Sequence, residues 1–249
     1  ALPHRMENNF SFDAEELLSL INDNTRLIIL NSPANPTGGV VPHRELEKLA
    51  RGLKKFPNVF ILSDEIYSRI LFDGHEHSSL LTFPEVRDRV IVLDGWSKTY
   101  SMTGWRLGYG IFPKSIFKYA EKLAINCHSC ISIPTQLAGI EALNGSQDSV
   151  DKMIQEFQKR RNFLVSELNK IKDVSCVSPG GAFYVFPKIN KKNQKSKDIS
   201  NFLLEKMFVA TVPGSSFGPN GEGFLRISYA SKLKNLKTFI SLLNEYMNE

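Results

Sequence analysis

Three short apolar runs, each passing straight into a polar segment rich in reactive side chains, limit what this chain can fold into. Residues 26–30 run into Asn31-Ser32-Pro33-Ala34-Asn35-Pro36-Thr37-Gly38-Gly39, residues 59–62 into Ser63-Asp64-Glu65-Ile66-Tyr67, and residues 90–93 into Gly95-Trp96-Ser97-Lys98. Apolar runs this short, bounded by turn residues and separated by amphipathic stretches, predict α/β layers around a mostly parallel sheet. In open sheets of that kind ligands bind beyond the carboxyl ends of the strands. Asn35, Asp64 and Lys98 are therefore expected on one edge, although they are far apart in sequence.

The helical punctuation agrees. Asp13 is placed to cap a helix running through 17–21, with Glu16 at the capping-box position and Phe12 and Leu17 as a hydrophobic staple. Pro42 opens the next helix, a position where its missing N–H costs nothing. Leu46, Leu49, Ala50 and Leu53 share one face of that helix. A further strand is expected at 107–112. After Gly145 the pattern changes: a long, polar helix at 150–171, strands at 174–177, 182–187, 209–212 and 224–229, and helices at 199–207 and 233–247. The chain thus divides into 1–146, the sheet-bearing part, and 147–249, a smaller α+β domain reached through the long helix.

Composition serves mainly to exclude. No apolar run approaches the roughly 20 residues of a membrane-spanning helix, and the first ten residues lack a signal peptide's apolar core. Three cysteines imply no disulfide framework, and a reducing cytoplasm is the default. Cys127 and Cys130 form a C-x-x-C pair, but a closed zinc site needs four ligands and no second pair exists. They read as two small hydrophobes near a helix end. The net charge of +5 owes much to residues 188–197, which read as a solvated lysine-rich loop, because no nucleic-acid-binding motif accompanies them.

Four groups of residues carry chemistry. A lysine at a strand end, such as Lys98, can lose its proton in a desolvated pocket and form a Schiff base. Arg106, eight residues on, offers a guanidinium suited to phosphate. With a helix beginning at Asp64, the spacing of three puts Asp64 and Tyr67 on one face. A carboxylate there can keep a pyridine nitrogen protonated, and a phenol can hydrogen-bond a ring oxygen. Asp64 as a helix cap and Tyr67 as a packing residue remain equally compatible with these residues alone. Asn35-Pro36-Thr37-Gly38 reads as a type I turn, whose functional reading requires the Asn35 amide to face the site. Arg226, inside the apolar strand Phe224-Leu225-Arg226-Ile227-Ser228, needs an anion. A substrate carboxylate or an internal acidic residue would serve.

Taken together and in order, these segments resemble the class I aminotransferases, pyridoxal-phosphate enzymes of fold type I. The resemblance rests on NSPANPTGG (31–39), LSDEIY (62–67), WSKTYSMTGWRLGY (96–109), SPGGAFYVF (178–186) and FLRISYA (224–230). It implies that Lys98 carries pyridoxal 5′-phosphate covalently and moves the substrate proton. It also implies that Asp64 pairs with the pyridinium nitrogen, and that Tyr67 and Asn35 hydrogen-bond the 3-oxygen. Arg106 and Ser97 would hold the phosphate, Arg226 the substrate α-carboxylate. A cis peptide at Asn35–Pro36 is a further implication, as is a homodimer for the full-length protein.

Two departures matter. Where some branches carry a second phosphate-binding serine, this chain has Gly95. The sequence also begins inside the family's pattern, without the phosphate-cradling glycine-rich loop and the aromatic that stacks on the ring. It is therefore expected to be a piece of a longer protein, a poor catalyst alone, with a sheet edge and apolar faces uncovered. The same residues would serve a carbon–sulfur β-lyase, or a non-catalytic aminotransferase-like regulatory domain. Membrane and nucleic-acid partners are not expected.

Overall fold

The computed structural model describes residues 2–248. Its first half is layered. Helix α1 (Ala14–Ser19) is followed by strand β1 (Leu27–Asn31), helix α2 (His43–Gly52), and strands β2 (Phe60–Asp64) and β3 (Val90–Gly95). A one-turn helix α3 (Trp96–Thr99) leads to strand β4 (Gly108–Ile111) and the helices α4 (Lys114–His128) and α5 (Ile133–Asn144). The sheet order is β1-β2-β3-β4. The first three strands are parallel and β4 returns antiparallel. Asn31 lies opposite Asp64, and Asp64 opposite Leu93. That register aligns three strand ends and their polar extensions along one edge.

Burial explains why the register holds. Leu46, Leu49, Ala50 and Leu53 of the α2 region are buried against Leu30, Ile61, Val90 and Val92. Each such aliphatic side chain contributes roughly 1.5–3 kcal/mol on burial, and slipping a strand by one residue would turn its buried set to the other face. Asp13 caps α1 by accepting from the amides of Glu15 and Glu16. The capping box does not form: both Glu16 carboxylate oxygens accept from the Arg5 guanidinium, at 2.6 and 2.7 Å. A charged fork outcompetes a single backbone amide.

The second half begins with α6 (Asp148–Leu168) and continues through β5 (Val174–Ser175), β6 (Tyr184–Val185), β7 (Lys188–Ile189), α7 (Ser196–Met207), β8 (Val212–Pro213), β9 (Leu225–Ser228) and α8 (Leu233–Asn248). β6, β9 and β8 form an antiparallel sheet. Residues 188–197 are not one loop: they include β7 and the start of α7, and the Lys191 ammonium donates to the Tyr246 carbonyl. The core here draws in Tyr67, Ile70 and Phe72 from the first half.

Arg161 of α6 is 2% exposed. Its guanidinium bonds Asp73 at 2.6 and 2.9 Å and the Pro179 carbonyl at 2.9 Å, which ties α6 to the first half. β1 and β4 have no outer partner strand among the described residues. Ile29 on β1 is 68% exposed, every residue of β4 is exposed, and α4 buries no side chain. The predicted uncovered edge and apolar faces are present. Cys127 and Cys130 lie at the end of α4 as expected, but both are exposed thiols rather than packed ones.

Candidate active site

Asp64 closes β2 and stays in the strand, because its backbone is held between Asn31 and Leu93. No helix starts there. The chain turns through Glu65–Ile70, with Ser68 N donating to the Glu65 carbonyl and Ile70 N to that of Tyr67. Asp64 Oδ1 accepts from the Ile66 amide at 3.2 Å, a local turn contact rather than a helix cap. Burial raises the Asp64 carboxyl above its usual range, the Glu65 charge adds to this, and the Lys98 ammonium opposes it. Lys98 and Asp64 thus interact although 34 residues separate them. A half-buried carboxylate with one hydrogen bond among the described residues is suited to a cationic N–H.

Lys98 lies in α3, directly after β3, with its Nζ 5.9 Å from the centre of the Phe183 ring. Phe183 meets Tyr67 edge-on at 5.5 Å, so the amine and the phenol ring both lie against the same aromatic side chain. Ser97 precedes Lys98 and is half-buried. Arg106 sits in the left-handed region (φ 56°) after a short turn, and its Nη1 donates to the Thr103 carbonyl at 2.8 Å. The rest of that side chain is exposed. The Trp96 amide bonds the Leu107 carbonyl, so Arg106 stands at the same strand end as Ser97 and Lys98. It makes no hydrogen bond to Lys98 or Asp64.

Asn35 does not lie in a type I turn. Both Ser32–Pro33 and Asn35–Pro36 are cis, the second as the resemblance implies. The Gly38 amide reaches past Asn35 to the Ala34 carbonyl at 2.7 Å, and the Asn35 amide donates to Asn31 Oδ1. Gly38 has φ +68°, and an added Cβ there would stand 2.3 Å from Pro179 Cβ, so only glycine fits. The Asn35 side chain faces β9: its Oδ1 accepts from Arg226 Nη1 at 2.9 Å, across 191 residues.

Arg226 has no carboxylate within ion-pair reach among the described residues. Asn35 and the faces of Tyr184 and Phe217, at 4.7 and 5.2 Å, are what hold it. Tyr67, 3% exposed, meets the Tyr184 hydroxyl at 3.2 Å. Burial, then the Tyr184 hydroxyl, push its ionisation well above the usual phenol range. Asn35, Tyr67 and Arg226 therefore meet in one arc, Asp64 and Lys98 flank it, and Ser97 and Arg106 stand at the adjoining strand end.

Sequence reasoning missed several contributors. Tyr184 gains its meaning from the pairing of β6 with β9, and Phe183 and Phe217 from the turn before β6 and the short helix after β8. Glu65 is buried and accepts from His77 Nε2 at 2.7 Å, Ser79 Oγ at 2.8 Å and Ser63 Oγ at 3.0 Å. A glutamate between Asp64 and an apolar residue was the only signal, and it is a weak one.

A sequence profile of the family described as aminotransferase class I and II matches residues 2–243. This chain belongs to that aminotransferase family. Its similarity to a probable aspartate/prephenate aminotransferase of Rickettsia felis is 41% identity over 243 residues, covering 93% of this chain and 59% of the relative. Among solved structures, an aromatic aminotransferase from Pyrococcus horikoshii superposes with TM-score 0.94 at 34% identity, covering 99% of this chain and 66% of that one. The aspartate aminotransferase of Rhizobium meliloti gives TM-score 0.91 at 34% identity, covering 98% and 63%. This chain thus spans about 60% of the length of the curated relatives it matches. With those neighbours, the expected α/β large-domain fold is established.

Proposed function

We propose that the full-length protein containing this chain is a pyridoxal-phosphate-dependent aminotransferase, moving an amino group between an amino acid and a 2-oxo acid. The observation that carries this reading is Arg226. A half-buried cation held, among the described residues, by the neutral Asn35 amide and two ring faces leaves its remaining N–H groups to an incoming carboxylate.

The donor set fits pyridoxal phosphate. Lys98 would hold it covalently, Asp64 would accept from the ring N–H, and Tyr67 and Asn35 would donate to the ring oxygen. Ser97 and Arg106 would take the phosphate. When bound, the cofactor supplies an electron-withdrawing ring that accepts the electron pair released at the substrate Cα. Asn35 Oδ1 is occupied by Arg226, which leaves Nδ2 as its donor. Arg226 would orient the α-carboxylate, and the Cα proton would go to the Lys98 amine. That amine takes the proton and returns it as general base and then general acid. Asp64, kept in a desolvated position, holds the ring proton in place.

The division into 1–146 and 147–249 would put the site between a cofactor-holding part and a carboxylate-holding part. Pyridoxal phosphate, the amino acid and the oxo acid are the proposed ligands, a homodimer the proposed assembly and the cytoplasm the proposed location. None of the described helices is long and apolar enough to cross a membrane. The test is borohydride reduction of the full-length protein with pyridoxal phosphate, followed by peptide mapping. The expected label is on Lys98 and is lost in Lys98→Ala. Label on another lysine would refute the assignment.

A further inference from the structure

Tyr184 is absent from the roles assigned above, yet it touches two of the residues that have them. It lies on β6, opposite Ser228 of β9, which brings its ring against Arg226 two residues back along that strand. The guanidinium carbon stands 4.7 Å from the ring centre, and the hydroxyl at the other end of the same side chain is 3.2 Å from the Tyr67 hydroxyl. Tyr184 is 8% exposed.

We propose that Tyr184 is a positioning residue that sets both the proton direction of Tyr67 and the plane of Arg226, joining the cofactor side of the site to its carboxylate side. This rests on the reading of the site given above. A phenol that donates to a ligand oxygen must take its own hydrogen bond as an acceptor. With Tyr184 as donor to Tyr67, the Tyr67 proton is left to point at the ligand, and the two bonds reinforce each other. Phe183 and Phe217 complete the apolar wall: Phe183 meets Tyr67 edge-on and Tyr184 at a tilt, and Phe217 lies against Arg226. The burial that pushes Tyr67's ionisation upward keeps it a phenol throughout.

Two substitutions separate this role from simple packing. Tyr184→Phe keeps the ring beneath Arg226 and removes only the hydroxyl. Tyr184→Leu removes both. In the full-length protein loaded with pyridoxal phosphate, two quantities are read: the pH titration of the cofactor's visible absorbance, and the Kd of an unreactive carboxylate, 3-phenylpropionate. For Tyr184→Phe the expected result is a displaced absorbance titration and a kcat lowered about 3- to 10-fold, with Kd and KM within about 2-fold of the parent. For Tyr184→Leu, Kd should also rise about 5-fold or more through the lost ring–cation contact.

A Tyr184→Phe protein with the parent's titration and kcat would overturn the proposal, and it does so even where Tyr184→Leu fails to fold. Parent protein that acquires no visible band with pyridoxal phosphate would instead refute the reading of the site, and the Tyr184 role with it.

Discussion

Replacing Arg226 by lysine keeps the charge and removes the fork, so it measures what the guanidinium geometry contributes. In the structure Nη1 is committed to Asn35 Oδ1 at 2.9 Å, and two aromatic rings at 4.7 and 5.2 Å fix the plane of the group. The remaining N–H groups can give a carboxylate two parallel bonds. A lysine ammonium can serve Asn35 or the ligand well, not both in that geometry. The loss is about one charge-assisted hydrogen bond, roughly 1.5–3 kcal/mol, or roughly 10- to 150-fold in affinity. The assay is titration of the full-length, cofactor-loaded protein with 3-phenylpropionate, followed by the change in cofactor absorbance. Its neutral amide serves as control. Arg226→Lys should weaken the acid by that factor and leave the amide within about 2-fold. Unchanged binding of the acid, or equal weakening of both, would refute the placement of the carboxylate on Arg226.

Other expectations follow from the same contacts. Burial raises the Asp64 carboxyl, so the folded protein binds its proton more tightly than the unfolded chain does, and folding stability falls as pH rises through that raised value. Asp64→Asn should therefore melt higher than the parent at pH 7 without cofactor, the difference shrinking as pH drops toward 4, while losing cofactor affinity. A lower melting temperature for Asp64→Asn at pH 7 would contradict this. Asp73→Ala leaves the buried Arg161 charge with only neutral acceptors, Asn162 Oδ1 and the Pro179 carbonyl, among the described residues. Because the Asp73 side chain is itself 50% exposed, the cost should be about 2–3 kcal/mol, below that of a fully buried pair, as read by urea denaturation. Gly38→Ala places a Cβ 2.3 Å from Pro179 Cβ at φ +68°, so it should cost about 2 kcal/mol or more and weaken carboxylate binding through Asn35. Parent-like melting and Kd for Gly38→Ala would show that the loop accommodates the change.

Much of this was legible because strand ends are written locally. The runs before Asn35, Asp64 and Lys98 are apolar, short and bounded by turn residues, and their register follows from burial of Leu30, Ile61, Val90 and Val92. What escaped depends on partners distant in sequence. The box at Glu16 was lost to Arg5, a competitor no spacing rule contains. The expected helix at Asp64 failed because strand pairing fixed that backbone first. Helices α4 and α5 gave no usable pattern, since Phe117, Tyr119, Leu123, Ile133 and Leu137 point to solvent rather than to a core. Arg226 was visible as an anomaly, an unpaired charge in an apolar strand, whereas Tyr184 looked like any aromatic in a strand.

Besides the Asn35–Arg226 contact, backbone hydrogen bonds join the second half to the Asn35 loop and to the segment at Ile70–Phe72. Gly181 N donates to the Gly38 carbonyl and Ala182 N to that of Ile70, each at 3.0 Å, and Phe72 N donates to Gly180 at 3.0 Å. A side-chain carbon on Gly181 would sit 2.7 Å from Pro33. Such a seam cannot part without stripping these amides of their partners, so the Asn35 loop and the approach to Tyr184 hold their spacing together.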